Sequence, residues 1–185
     1  MPFIKVIPEQ EATDELKNVY ENISNQRGKL SNILKIQSLL PNTMGKHLDF
    51  YVSVMFDKSR LSREDRELLA TVVSAANRCD YCINHHAEAL KHYWKDDELV
   101  ETAIQNFRTL DIHPKKIAML EYAEKLTLYP WETSEDDVES LRSIGYSDQE
   151  ILNITLVIGY FNFVNRMANG LGVEYDEEEM KGYKY

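Results

Sequence analysis

A chain of 185 residues with 43% hydrophobic and 28% charged positions is long enough for one domain with a real core, and ordinary for a globular protein. Its formal charge of −10, from 31 acidic residues against 21 Lys and Arg, repels phosphate backbones and argues against a nucleic-acid partner. No apolar run approaches the ~18 residues of a membrane span, and the N-terminal MPFIKVIPEQEATDEL has no signal-peptide core, so a cytoplasmic protein with no membrane partner and no structural disulfide is expected.

Met1 to Pro8 reads as an extended arm, with Pro2 and Pro8 opposing a helix, and residues 1–12 together precede the first periodic segment. From Thr13, Leu16, Val19, Tyr20 and Ile23 step at helical spacing toward a stop at Gly28. Asn32 to Leu40 repeats the pattern, and Pro41 breaks it and opens a further helix through Phe56. Ser62, with Asp65 three residues on, is a good N-cap for a helix to about Asn77. A second helix is expected from near Cys79 to about Tyr93.

Asp96 or Asp97 caps the next helix, to about Phe107, and Pro114 suits the first turn of another. Thr133 or Ser134 caps Glu135 to Ser143, and Gly145 ends it. Ser147 opens a long apolar stretch through Met167, closed by Gly170 and Gly172. No alternating strand segment occurs, so the chain reads as one all-α, multi-helix domain over 1–185, with an acidic solvated tail at 174–185. Laying Glu67 over Glu150 suggests a faint repeat of two helical halves, in which Cys79, Cys82 and His86 fall on Asn162, Asn165 and Asn169.

Chemistry concentrates between Glu67 and Leu90, ELLATVVSAANRCDYCINHHAEAL, which holds the only two cysteines. At about 100° per residue, Cys79, Cys82 and His86 share one narrow face if the helix runs unbroken from Cys79. A Cys-x-x-Cys in a helix's first turn permits a local disulfide, and the helix N-terminus with Arg78 beside it favours thiolate. His86 can take up or return the thiol proton, and Glu67 reaches the site only if the preceding helix folds back.

Other readings stand beside the redox one. The cysteines can be small core residues, or Cys79, Cys82 and His86 can supply three zinc ligands with Glu67 or water as the fourth. Zinc is disfavoured because structural sites draw on two separated pairs and no second pair exists here. His85 reads as a surface or packing residue, and His47, His92 and His113 as isolated and exposed. Tyr81 reads as a pocket wall, and Tyr160, Phe161 and Phe163 as core or interface.

Glu67, eleven residues, Cys79-x-x-Cys82, three residues, His86 resembles the active-site signature of the alkyl hydroperoxidase D family of the carboxymuconolactone decarboxylase-like superfamily. RELLATVVSAANRC, HHAEAL and GYFNFVNRMANGLGV are similar to its peroxidase-related branch, and the resemblance spans about residues 13–173. It implies an all-helical homo-oligomer, trimer or hexamer, that reduces hydrogen peroxide or small organic hydroperoxides without a cofactor. It further implies Cys82 as the attacking thiol, Cys79 as its resolving partner, and His86 with Glu67 as proton relay. A lipoyl or thioredoxin-like dithiol protein would reduce the resulting disulfide. Tyr81 stands where the family's best-known members have histidine. The superfamily's decarboxylases lack the cysteine pair, which disfavours decarboxylation. A disulfide reductase or redox sensor using the same cysteines, and a non-redox helical scaffold, are the alternative functions.

Overall fold

In a computed structural model that describes residues 1–175, α4 (Arg63–Ala76) is the axis of the molecule. Every residue from Arg66 to Ser74 is buried, polar ones included, so this stretch of the helix has no solvent face. It packs against α5 (Asp80–Trp94), α9 (Asp148–Leu171) and α7 (Pro114–Leu128). Leu68, Leu69, Val72 and Val73 meet Met119, Leu120, Ile154, Ile158 and Phe161 in the main core. Around these run α6 (Asp97–Asn106) and α8 (Glu135–Ser143). No strand occurs among the described residues, and no helix there is long and apolar enough to cross a membrane.

A second, smaller core lies N-terminal to α4. It joins Leu16, Tyr20 and Ile23 of α1 (Asp14–Arg27), Leu34 of α2 (Asn32–Lys35), and Met44 and Leu48 of α3 (Pro41–Phe56). Ile33 and Tyr51 touch both cores.

Element ends follow the chemistry of the chain. Ser62 accepts from the Asp65 amide at 3.0 Å, Asp96 from Leu99 at 3.0 Å, and Ser134 and Ser147 form capping boxes with Asp137 and Glu150. Gly28 ends α1 and Gly172 ends α9, both in the left-handed region. At Gly172 an added Cβ would lie 2.6 Å from the Phe3 ring, because the N-terminal arm docks there through Phe3 N–H to Leu171 C=O, 2.9 Å. Gly170 lies inside α9 rather than ending it.

Two expectations need correction. The helix expected over Asn32–Leu40 closes after Lys35 and goes on in tighter turns, with Gln37 N–H to Leu34 C=O and Ser38 N–H to Lys35 C=O, until Leu40, restricted by Pro41 after it, takes φ −134° and ψ 70°. The offset of 83 pairs two helices broken at Asn77–Cys79 with one unbroken helix of 24 residues, so it marks no duplicated architecture. From residue 176 on, the expected acidic tail lies outside the described residues.

Replacing Ser147 by Ala removes the hydroxyl half of the α9 capping box. We expect a loss of about 1 kcal/mol in urea denaturation with an unchanged slope against denaturant.

Candidate functional site: a buried cysteine pair behind a cavity

The turn between α4 and α5 brings the expected residues together. Cys79 N–H bonds Ser74 C=O at 3.0 Å and Arg78 N–H bonds Ala75 C=O at 3.0 Å, with Arg78 left-handed at φ 53°. This double closure ends α4 and sends α5 back along it. Glu67 thereby faces His86, and its Oε2 accepts from His86 Nδ1 at 2.7 Å. The other oxygen, Oε1, takes the Arg63 guanidinium one turn earlier on α4.

Arg63 is held in turn. It donates to Met55 C=O at 2.9 Å and lies 3.8 Å over the Phe56 ring.

Glu67 is 1% exposed. Burial pushes its carboxyl pKa up, but His86, Arg63 and Arg27 outweigh burial and hold it below the usual range. Because Glu67 is a carboxylate, His86 Nδ1 carries a proton toward it, which leaves Nε2 of neutral His86 as the free base.

The cysteines are free thiols with sulfurs 2.9 Å apart, Cys79 at 0% and Cys82 at 1% exposure. Either thiol can donate in that contact. Cys79 is the N-cap of α5, and the Cys82 thiol, then the Cys82 amide, lower its pKa. The Cys82 thiol is pushed the other way, by its hydrogen bond to Cys79 and by burial, so we assign it as the donor. Arg78, expected to assist, is exposed and is not among the causes of the Cys79 shift.

The expected single face also divides. Cys79 precedes the helix, while Cys82 and His86 lie inside α5 and border a cavity of about 90 Å³ that Cys79 does not line. Cys82 makes no hydrogen bond to His86 among the described residues, so a proton passing between them crosses the cavity.

That cavity sits where the two cores meet. Leu34, Leu48 and Tyr51 line it from the N-terminal layer, and Tyr81, Ala89, Phe161 and Val164 from the main bundle. Tyr81 is the expected wall, its hydroxyl accepting from Ile33 N–H at 3.2 Å. His85, expected as a surface or packing residue, does pack, and it also faces the cavity. It borders the same cavity, stacks on Tyr81 with centroids 4.3 Å apart, and its Nδ1 meets Tyr81 C=O at 2.8 Å. Tyr160 and Phe161 also line the cavity, whereas Phe163 is 47% exposed.

Two residues escape a reading of the sequence. His47, expected to be exposed, is 6% exposed and joins Gln37 and Tyr160, each at 2.7 Å. Asn165 stands behind Cys82. Its Oδ1 accepts from Asn77 at 2.9 Å, which turns its Nδ2 toward Ser74 Oγ at 3.1 Å and toward the Cys82 sulfur, whose pKa it lowers. Its only sequence signal was the alignment of Asn165 with Cys82 at the offset of 83. Among the described residues no three His, Cys, Asp or Glu side chains converge in an arrangement that could hold a metal ion.

These features define an all-helical protein in which one thiol of a close pair and a His–Glu pair border a small cavity. Residues 42–125 match the Carboxymuconolactone decarboxylase family. A peroxidase-related protein of Silicibacter sp. TM1040 is 30% identical, with TM-score 0.82 over 99% of this chain and 93% of its own. An AhpD-core peroxidase-related protein of Ralstonia eutropha JMP134 is 26% identical, with TM-score 0.85 over 97% and 94%. The chain belongs to the AhpD/carboxymuconolactone decarboxylase-like superfamily. The debrominase Bmp8, solved with 2,3,4-tribromopyrrole, shares the fold at 18% identity and TM-score 0.77, covering 94% of this chain and 92% of its own.

His47 makes stability pH-dependent. Burial lowers its pKa from 6.5 to about 4, so between those values the unfolded chain binds a proton that the folded chain does not. Stability falls as pH drops through that window, by up to about 3 kcal/mol. The Glu67 carboxyl, also depressed, loses stability in the same direction in more acid solution. Denaturant titrations of wild type and His47→Gln from pH 7 to 4 should give a shallower slope in the variant.

Proposed function

We propose that the protein is a thiol peroxidase that reduces hydrogen peroxide or small organic hydroperoxides through Cys82 and Cys79. The observation that carries this reading is that Cys82 opens on a cavity shared with the His86–Glu67 pair, while Cys79 lies behind it. Acidity favours Cys79, but a sulfur that cannot meet the peroxide cannot attack it. Access therefore selects Cys82, and Nε2 of His86 takes its proton.

The Cys82 thiolate attacks the outer peroxide oxygen. An S–O bond forms, the O–O bond breaks, and its electron pair leaves on the departing oxygen, which takes the proton held by His86. Cys79 then displaces hydroxide from the sulfenic acid to give the disulfide and water. An external dithiol supplies two electrons and two protons to restore the pair. With both sulfurs at most 1% exposed, a slender dithiol such as a lipoyl arm enters more readily than a protein surface. The same burial disfavours bulky protein disulfides as substrates.

Exposed Leu152, Leu156 and Phe163 on α9, with Phe50 on α3, form apolar surface that a second copy of this chain would cover, consistent with a trimer or hexamer. Sedimentation of the wild type should give such an assembly, and Leu156→Glu should shift it toward monomer.

For the chemistry, titrating free thiols before and after one equivalent of organic hydroperoxide should show both lost within seconds and restored by a dithiol. Cys82→Ser should abolish peroxide consumption, and Cys79→Ser should stop at a trappable sulfenic acid. Glu67→Gln should slow the first step about 10²- to 10⁴-fold by weakening the base. Unchanged peroxide consumption in Cys82→Ser would sink the reading.

A further inference from the structure

A second hydrogen-bonded chain ends at the cavity, on the side contributed by α3 and α9. Gln37 Nε2 lies 3.0 Å from Ile33 C=O and 2.7 Å from His47 Nδ1, and His47 Nε2 lies 2.7 Å from the Tyr160 hydroxyl. The proton positions follow from one end. A carbonyl oxygen only accepts, so the Gln37 atom facing Ile33 is its NH₂. That NH₂ can only donate to His47, which makes Nδ1 an acceptor.

His47 is 6% exposed and burial keeps it neutral above about pH 4, so its single proton sits on Nε2 and points at the Tyr160 oxygen. The Tyr160 hydroxyl thus receives a hydrogen bond from behind, and its own proton must point elsewhere. No protein acceptor takes that proton among the described hydrogen bonds, and Tyr160, unlike His47, borders the cavity with Cys82.

We propose that Tyr160 is a catalytic hydrogen-bond donor to the departing oxygen of the peroxide, with His47 and Gln37 as positioning residues that fix its donating orientation. This rests on the thiol peroxidase reading and adds a part to it. When the Cys82 sulfur bonds the outer oxygen and the O–O bond breaks, negative charge gathers on the departing oxygen. A donor already aimed into the cavity stabilises that charge without reorganising. Burial, with Tyr51 and Cys82 nearby, holds the phenol pKa well above 10, so Tyr160 lends a hydrogen bond and keeps its proton. The proton that makes the alcohol or water is the one His86 removed from Cys82.

The test uses the whole reduced protein, mixed rapidly with tert-butyl hydroperoxide or with peracetic acid while thiol loss is followed. Acetate is a far better leaving group than an alkoxide and needs little help from a donor. Tyr160→Phe keeps the ring contacts and removes only the hydroxyl. We expect it to slow the reaction with tert-butyl hydroperoxide by about 10²-fold, and that with peracetic acid less than about threefold. Diamide, which closes the disulfide without a departing oxygen, should act on the variant at the wild-type rate.

His47→Leu, which leaves Tyr160 in place but frees its hydroxyl to turn, should show a smaller loss with the same preference. Combined with Tyr160→Phe it should cost little more than Tyr160→Phe alone. Equal losses with both peroxides would mean a structural role and overturn the proposal, as would no loss with either. Those outcomes, with a reactive wild type, leave the peroxidase reading standing. A wild type inert to both peroxides overturns that reading and this proposal together.

Discussion

A negative charge sealed inside the central helix sets the plan of this molecule. Glu67 lies in a stretch of α4 that has no solvent face, and an unpaired carboxylate there would cost several kcal/mol. Two partners keep it ionised, Arg63 one turn earlier and His86 across the α4–α5 turn. The first is local. The second exists only because α5 returns along α4, so satisfying the charge and placing the imidazole beside Cys82 are one structural event. Arg63 then ties the pair to the end of α3 through Met55 C=O and the Phe56 ring.

The same turn divides labour between two chemically identical side chains. One sulfur caps α5 and receives the stabilisation of that helix end, while the other stands one turn inside and meets the cavity. With sulfurs 2.9 Å apart the charge on one depends on the proton of the other. Such a pair favours one thiolate beside one thiol. Asn165, aimed at Cys82 from α9, and His86, on α5, approach that sulfur from different elements.

Much of this was legible along the chain because its causes are local. Ser62, Asp96, Ser134 and Ser147 cap helices by contacts three residues away, and the spacing of Glu67, Cys79, Cys82 and His86 sets their approach once α4 and α5 fold together. The cavity was not legible, since its walls come from residues as distant as Leu34 and Val164. Nor was His47. Met44 and Tyr51, at i−3 and i+4, place it beside the apolar face of α3, but its hydrogen-bond partners lie 10 and 113 residues away. Neighbouring His85 was legible as a packing residue but not as a cavity wall. One residue's rotation from His86 suggests another face, yet stacking on Tyr81 turns its ring to the same cavity.

The position of that cavity, between cores rather than inside one, has a consequence for how the site is controlled. A pocket inside a single core changes only when that core is repacked. Here one wall comes from α1 to α3 and the other from α4, α5 and α9, and Ile33 and Tyr51 pack against both cores. A change in that N-terminal layer would therefore reshape the approach to Cys82, and at Arg27, Met55 or Phe56 it would also reach the Glu67–His86 pair, through Arg63 and the charge of Arg27. Substitutions that change which molecules enter are thus expected at Leu34, Leu48 and Tyr51, which face the cavity from that layer.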